Sequence, residues 1–197
     1  MNKRIRPETI ITDLVSEIRE KYGINIQTEI INVDSSLIMK ARNKDTILIN
    51  KKYLNAIKEP DILKALLYHE LGHIVNYQKW LRYKLFVYIG VAVSGIGLFV
   101  VTLFLQYLYL VLTGFLLIIA GLMIIRFFMQ RNEYIADLFA AKELGLRYYI
   151  EQLKRFMSID KRAHCASKAY HILAKLFGYP SINSRIERLS RIAEQVF

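Results

Sequence analysis

The chain is poor in cysteine, proline and histidine, with one Cys (Cys165), three Pro and four His in 197 residues. One cysteine excludes a disulfide-stapled scaffold, and a lone thiol fits a reducing compartment. Charge is missing from one long stretch: the 41 residues from Leu85 to Ile125 include no Asp, Glu, Lys, Arg or His. A hydrophobic share of 54% excludes a disordered polycation. What is present is 28 Lys and Arg against 17 Asp and Glu, a net charge of +11. That excess is divided between the flanks, +5 over residues 1–84 and +6 over 126–197.

A membrane-spanning helix needs about 20 apolar residues, so the uncharged stretch holds two. The expected spans are Leu85–Leu105 and Tyr107–Ile125, with the turn near Gln106, Tyr107 and Tyr109. Two buried helices of a soluble core are the alternative, but helices that long normally show a polar face. Gly90, Gly95, Gly97, Gly114 and Gly121 are small enough to let the two helices approach closely. Lys79, Arg82 and Lys84 precede the first span, Arg126 and Arg131 follow the second, and the turn has no charge. The positive-inside rule then places both flanks in the cytoplasm, with the cell membrane as the expected location. Met1–Gly23 is charged throughout and lacks the apolar core of a signal peptide. The basic residues are interleaved with acids and no nucleic-acid-binding motif is present. Anionic lipid, rather than DNA or RNA, accounts for the positive charge.

In the first flank, Ile10, Ile11, Leu14, Val15 and Ile18 recur at helical spacing, predicting a helix over Pro7–Tyr22 closed by Gly23. Short β-like runs follow at Ile24–Val33, Leu37–Lys40 and Thr46–Asn50, separated by Asp34-Ser35-Ser36 and Asn43-Lys44-Asp45. Pro60-Asp61 opens a helix that can run through Trp80 into the first span. In the second flank, helices are expected over Asn132–Leu144, Arg147–Met157, Ala163–Phe177 and Ile182–Phe197.

His69-Glu70-Leu71-Gly72-His73 is an HExxH. Residues four apart share a helix face, so both imidazoles can reach one ion, and neutral imidazole suits Zn²⁺. Glu70 is not a ligand; it is placed to take a proton from an activated water. A third ligand must come from elsewhere: His164, His171 or a carboxylate. Glu133 is the best candidate, because Glu133 and Asp137 are four apart on one helical face. One carboxylate can bind metal while the other receives the N–H of a ligating histidine. His164 and Cys165 are adjacent but have no partner at ligand spacing.

HExxH followed by Asn132-Glu133 and Asp137 resembles the gluzincin clan of zinc peptidases. The hairpin between the motifs is similar to that of the HtpX and CAAX prenyl endopeptidase family. Ile47-Leu48-Ile49-Asn50 to Tyr53-Leu54, Arg131 to Ala141, and Tyr179-Pro180-Ser181 to Leu189 resemble three further stretches of that family. The chain departs from it in having Tyr179 where the family has His before Pro. His73 and Glu133 are separated by 59 residues; without the 41-residue hairpin, 18 remain, as in compact soluble gluzincins.

The resemblance implies an α+β, mainly α, zincin-like metallopeptidase domain with a small N-terminal β-sheet, interrupted by a two-helix transmembrane hairpin. Residues 1–84 would carry the first helix, the sheet and the HExxH helix; 85–125 the hairpin; 126–197 the helices completing the catalytic domain. One Zn²⁺ would be held by His69, His73 and Glu133, with Glu70 as general base and Asp137 orienting a histidine. Tyr179 or Arg185 would stabilise the oxyanion, Arg185 being equally readable as a surface ion pair. Thr46, Ile47, Leu48, Ile49 and Asn50 would form an edge strand able to pair with an extended substrate, or a plain structural strand.

With unbroken helices, His73 would lie about 18 Å before Leu85 and Glu133 about 12 Å after Ile125. That puts the site just outside the bilayer. The expected partners are therefore the lipid bilayer and membrane-associated or misfolded protein substrates. The other expectation is a catalytically silent membrane adaptor that keeps the fold.

Overall fold

A computed structural model describes residues 7–32, 39–57, 59–104, 107–163 and 179–196. The Asp34-Ser35-Ser36 turn, Gln106, His164, Cys165, His171 and all but the first residue of the helix expected over Ala163–Phe177 lie outside the described residues. In chain order the elements are α1 (Pro7–Tyr22), β1 (Gln27–Ile31), β2 (Met39–Ala41), β3 (Thr46–Asn50), α2 (Lys51–Ala56) and α3 (Pro60–Val75). They continue with α4 (Tyr77–Leu103), α5 (Leu108–Leu144), α6 (Leu146–Ala163) and α7 (Ile182–Val196). The protein is thus mostly helical with one small sheet.

The chain divides into two compact units. The first comprises Met1–Tyr77, Ile135–Ser167 and Ser181–Phe197. Its core gathers Ile18 of α1, Ile47 of β3, Leu63, Leu67 and Leu71 of α3, Ala140 of α5, Leu153 of α6 and Leu189 of α7. In α1, Ile11, Leu14 and Ile18 make the buried stripe that the helical spacing predicts. Gly23, at φ +65°, ends the helix, its N–H donating to the Arg19 carbonyl at 2.9 Å.

The sheet order is β1-β3-β2, with β1 parallel and β2 antiparallel to β3. This corrects the expectation for Thr46–Asn50. The strand is central, paired with β1 along Thr46–Asn50 and with β2 along Ile47–Ile49, and so is not an edge strand of the described sheet. Thr46, Ile47, Ile49 and Asn50 are buried. Asn50 instead caps α2, its side-chain oxygen accepting from the Lys52 N–H at 3.1 Å.

Helix α3 begins with Pro60 and Asp61 in its first turn, favourable positions for both. Every residue from Ala65 to Ile74 is buried, because α1, β2 and α6 all pack on α3. The helix stops at Asn76, whose Nδ2 and backbone N–H both donate to the Gly72 carbonyl, at 2.9 and 3.2 Å. The expected unbroken run from Pro60 into the first span is therefore interrupted, because this side chain competes for the helix's own carbonyl. Gly72 marks a close crossing: a Cβ there would lie 2.8 Å from Ala136 Cα and 2.9 Å from Ala136 O on α5.

The second unit comprises Gln78–Tyr134 and Lys168–Pro180. Its α4 and the first part of α5 are long and apolar enough to cross a membrane. Large apolar side chains such as Phe99, Leu116 and Met123 are exposed on them. The two helices approach through glycine, as a Cβ on Gly90 would lie 2.8 Å from Gly121 O. Ser94 Oγ donates to the Ile118 carbonyl at 3.4 Å, and Phe86 stacks on Phe128 with centroids 4.3 Å apart.

Candidate metal centre

His69 and His73 sit one turn apart on α3, their ring centroids 4.9 Å apart. Ligand atoms of His69, His73 and Glu133 all lie within 4.8 Å of one another. The three are 5%, 8% and 8% exposed. The donors are two imidazole nitrogens and a carboxylate oxygen. Zinc takes such atoms as ligands at ~2.0–2.2 Å. The group can hold a metal.

Glu133 and Asp137 lie one turn apart on α5. Asp137 Oδ1 is 3.0 Å from His69 Nδ1. The same carboxylate accepts from Arg185 of α7, through Nε at 2.9 Å to Oδ2 and Nη2 at 2.5 Å to Oδ1. Tyr149 of α6 donates its hydroxyl to Oδ1 at 2.7 Å. Burial alone would push the Asp137 carboxyl up; the Arg185 guanidinium and His69 outweigh it and hold the group well below the usual carboxylate range. Burial, then the Asp137 charge, drives the Tyr149 phenol well above its ordinary value, so it stays a donor. Asp137 Oδ1 and Arg185 Nη2 both lie 3.0 Å from His69 Nδ1; an ionised Asp137 can only accept, and with the His69 proton on Nδ1 the Nε2 lone pair is open to a metal.

Glu70 is 9% exposed, and its Oε2 accepts the Ala41 N–H at 2.6 Å. In the antiparallel β2–β3 pair, Arg42 N–H bonds to Thr46 O at 2.8 Å, so the alternate residue Ala41 points its N–H away from β3. The strand offered to Glu70 is β2, not β3.

The sequence-predicted residues thus separate into groups. His69, His73 and Glu133 come together; Asp137 and Arg185 gather behind His69; Glu70 meets β2. Arg185 is in an ion pair, but one buried against Asp137 rather than on the surface. Tyr179 lies ahead of α7 and is 43% exposed. Two participants are absent from the sequence reading. Tyr149 shares a buried face with Leu153 and Phe156, so its spacing marks only a core position. Ala41 acts through its backbone, which no side-chain pattern encodes.

The buried His-His-Glu group, with Glu70 next to its first histidine, is a set of residues that could hold a metal ion. The chain belongs to peptidase family M48, whose model matches residues 10–193, in keeping with the HtpX-like resemblance. It is therefore a metallopeptidase. No curated protein and no solved structure matches the chain significantly.

Proposed function

We propose that the protein is a membrane-anchored zinc endopeptidase that cuts membrane-associated or misfolded proteins at the cytoplasmic membrane face. The observation that carries this reading is the convergence of His69, His73 and Glu133 beside Glu70 in an M48 chain. Two neutral imidazoles and one carboxylate form the donor set of a catalytic zinc site. Bound there, zinc supplies Lewis acidity and lowers the pKa of a water.

The chain's own residues do the rest. Asp137 keeps the His69 proton on Nδ1 and the ring fixed. The Ala41 N–H holds Glu70 Oε2, leaving Oε1 to take the proton of the attacking water and return it to the leaving amine. The low exposure of the cluster limits competing water.

Membrane anchoring rests on the apolar α4 and α5 and on the basic residues that flank the spans but not the turn. His73 is 12 residues before Leu85 and Glu133 eight after Ile125, so the active residues are tethered within a short length of chain from the bilayer.

Metal analysis together with casein or self-cleavage assays on the wild type and Glu70→Gln tests the proposal. Zinc in both, with cleavage lost only in Glu70→Gln, is the expected result. Zinc without cleavage in either would point to a silent adaptor, and absence of zinc would remove the reading.

A further inference from the structure

Four elements of the first unit meet at one imidazole edge: α3 brings His69, α5 Asp137, α7 Arg185 and α6 Tyr149. The first three lie in motifs that the sequence displays. Tyr149 does not, yet its side chain is fully buried and its hydroxyl makes the 2.7 Å bond to Asp137. That oxygen also lies 3.4 Å from His69 Nδ1 and accepts from Arg185 Nη2 at 3.3 Å.

The backbone brings it there. Gly145, at φ +90°, ends α5 and lets α6 start at once, and the Tyr149 N–H closes the first turn on the Gly145 carbonyl at 2.9 Å. A side chain twelve residues beyond Asp137 is thereby folded back onto it.

Asp137 has two competing claims. Arg185 binds both its oxygens, and a carboxylate held only by a guanidinium fork is free to follow that fork. His69 needs one oxygen, Oδ1, in the plane of its ring. The phenol gives Oδ1 a further donor at 2.7 Å, carried on a rigid ring with few torsions.

We infer that Tyr149 is a positioning residue: its hydroxyl fixes Asp137 Oδ1 against His69 Nδ1 and so sets the orientation of the His69 ring and the metal affinity of the His69–His73–Glu133 group. This rests on the zinc reading above. Losing an outer partner of a metal-ligating histidine typically costs about 10–100-fold in affinity. Tyr149 acts through one intervening carboxylate, so the lower end applies.

The test uses the full-length chain in detergent micelles. Zinc affinity is measured by chelator competition, and the ligand field by the visible spectrum of the cobalt-loaded protein, for wild type, Tyr149→Phe, Tyr149→Leu and Asp137→Asn. Tyr149→Phe should weaken zinc binding about tenfold and shift the cobalt bands. Tyr149→Leu should weaken it as much, and Tyr149→Phe should add little in the Asp137→Asn background. Tyr22→Phe, which removes another phenol hydrogen bond (to Glu143), should leave both readouts unchanged.

A second measurement needs no change at Tyr149. Its buried hydroxyl proton should give a slowly exchanging NMR resonance that moves when zinc binds and vanishes in Asp137→Asn. Wild-type affinity and spectrum in Tyr149→Phe, or a hydroxyl resonance indifferent to zinc, would overturn the inference. A wild type that binds no zinc would instead withdraw the metal reading, and this inference with it.

Discussion

The backbone N–H of Ala41 donates to Oε2 of Glu70 at 2.6 Å, tying the outer strand of the sheet to the carboxylate of the HExxH helix. A hydrogen bond to a charged group contributes about 1.5–3 kcal/mol. Proline lacks the donor and is tolerated in edge strands where the N–H faces outward. Ala41→Pro should lower kcat about tenfold while metal content, read by elemental analysis, stays at the wild-type level. Lost metal in Ala41→Pro would mean that β2 shapes the site rather than holding Glu70.

The ligand set makes a graded prediction. His69→Ala, His73→Ala and Glu133→Gln should each lose stoichiometric zinc, whereas Glu70→Gln should keep it. Dialysis against chelator followed by elemental analysis gives the comparison. Zinc retained by Glu133→Gln would exclude Glu133 as a ligand.

Gly72 leaves no room for a side chain. A Cβ there meets Ala136 Cα at 2.8 Å, and both atoms belong to packed helices. Gly72→Ala should destabilise the protein by about 1–3 kcal/mol, the range for overpacking, despite alanine's better helix propensity. Thermal unfolding in micelles should show a lower midpoint; a higher one would contradict the close crossing of α3 and α5.

Acid should unfold the protein partly through Asp137. Its folded-state pKa is depressed, so its contribution is present in full above the ordinary aspartate value of about 3.9. Below that the unfolded chain takes up the proton first, and the contribution falls as pH approaches the lower folded value. Asp137→Asn should flatten this part of the stability curve. Unequal slopes below about pH 4 in chemical denaturation of the two proteins would bear this out, and equal slopes would not.

The hairpin predicts topology. In a Cys165→Ser background, single cysteines at Lys79 and Arg131 should react with an impermeant thiol reagent only after the cytoplasmic side is opened. A cysteine at Tyr107, in the turn, should react from outside. Reversed labelling would invert the assignment.

Much of the site is legible in the order of residues, for a local reason. Imidazoles four apart on a helix must share a face, and so must Glu133 and Asp137. Forty-one residues without charge can be apolar helices before any contact is known. The run from Pro60 through Trp80 is broken because Asn76 ends α3 by a side-chain bond to Gly72, a choice that helical periodicity does not register.

What the tertiary structure decided is non-local. Strand order moved Thr46–Asn50 from edge to centre, and the β2 register turned the Ala41 N–H toward Glu70. Both depend on pairings between segments, and alternation within a strand is the same at an edge or a centre. The convergence of Asp137, Tyr149 and Arg185 on His69 depends on how α5, α6 and α7 pack. Sequence by itself determined which chemistry was present and which helices could lie in a membrane. Packing determined which donor meets which acceptor, because hydrogen-bond direction is settled only when distant backbones are brought to within about 3 Å of each other.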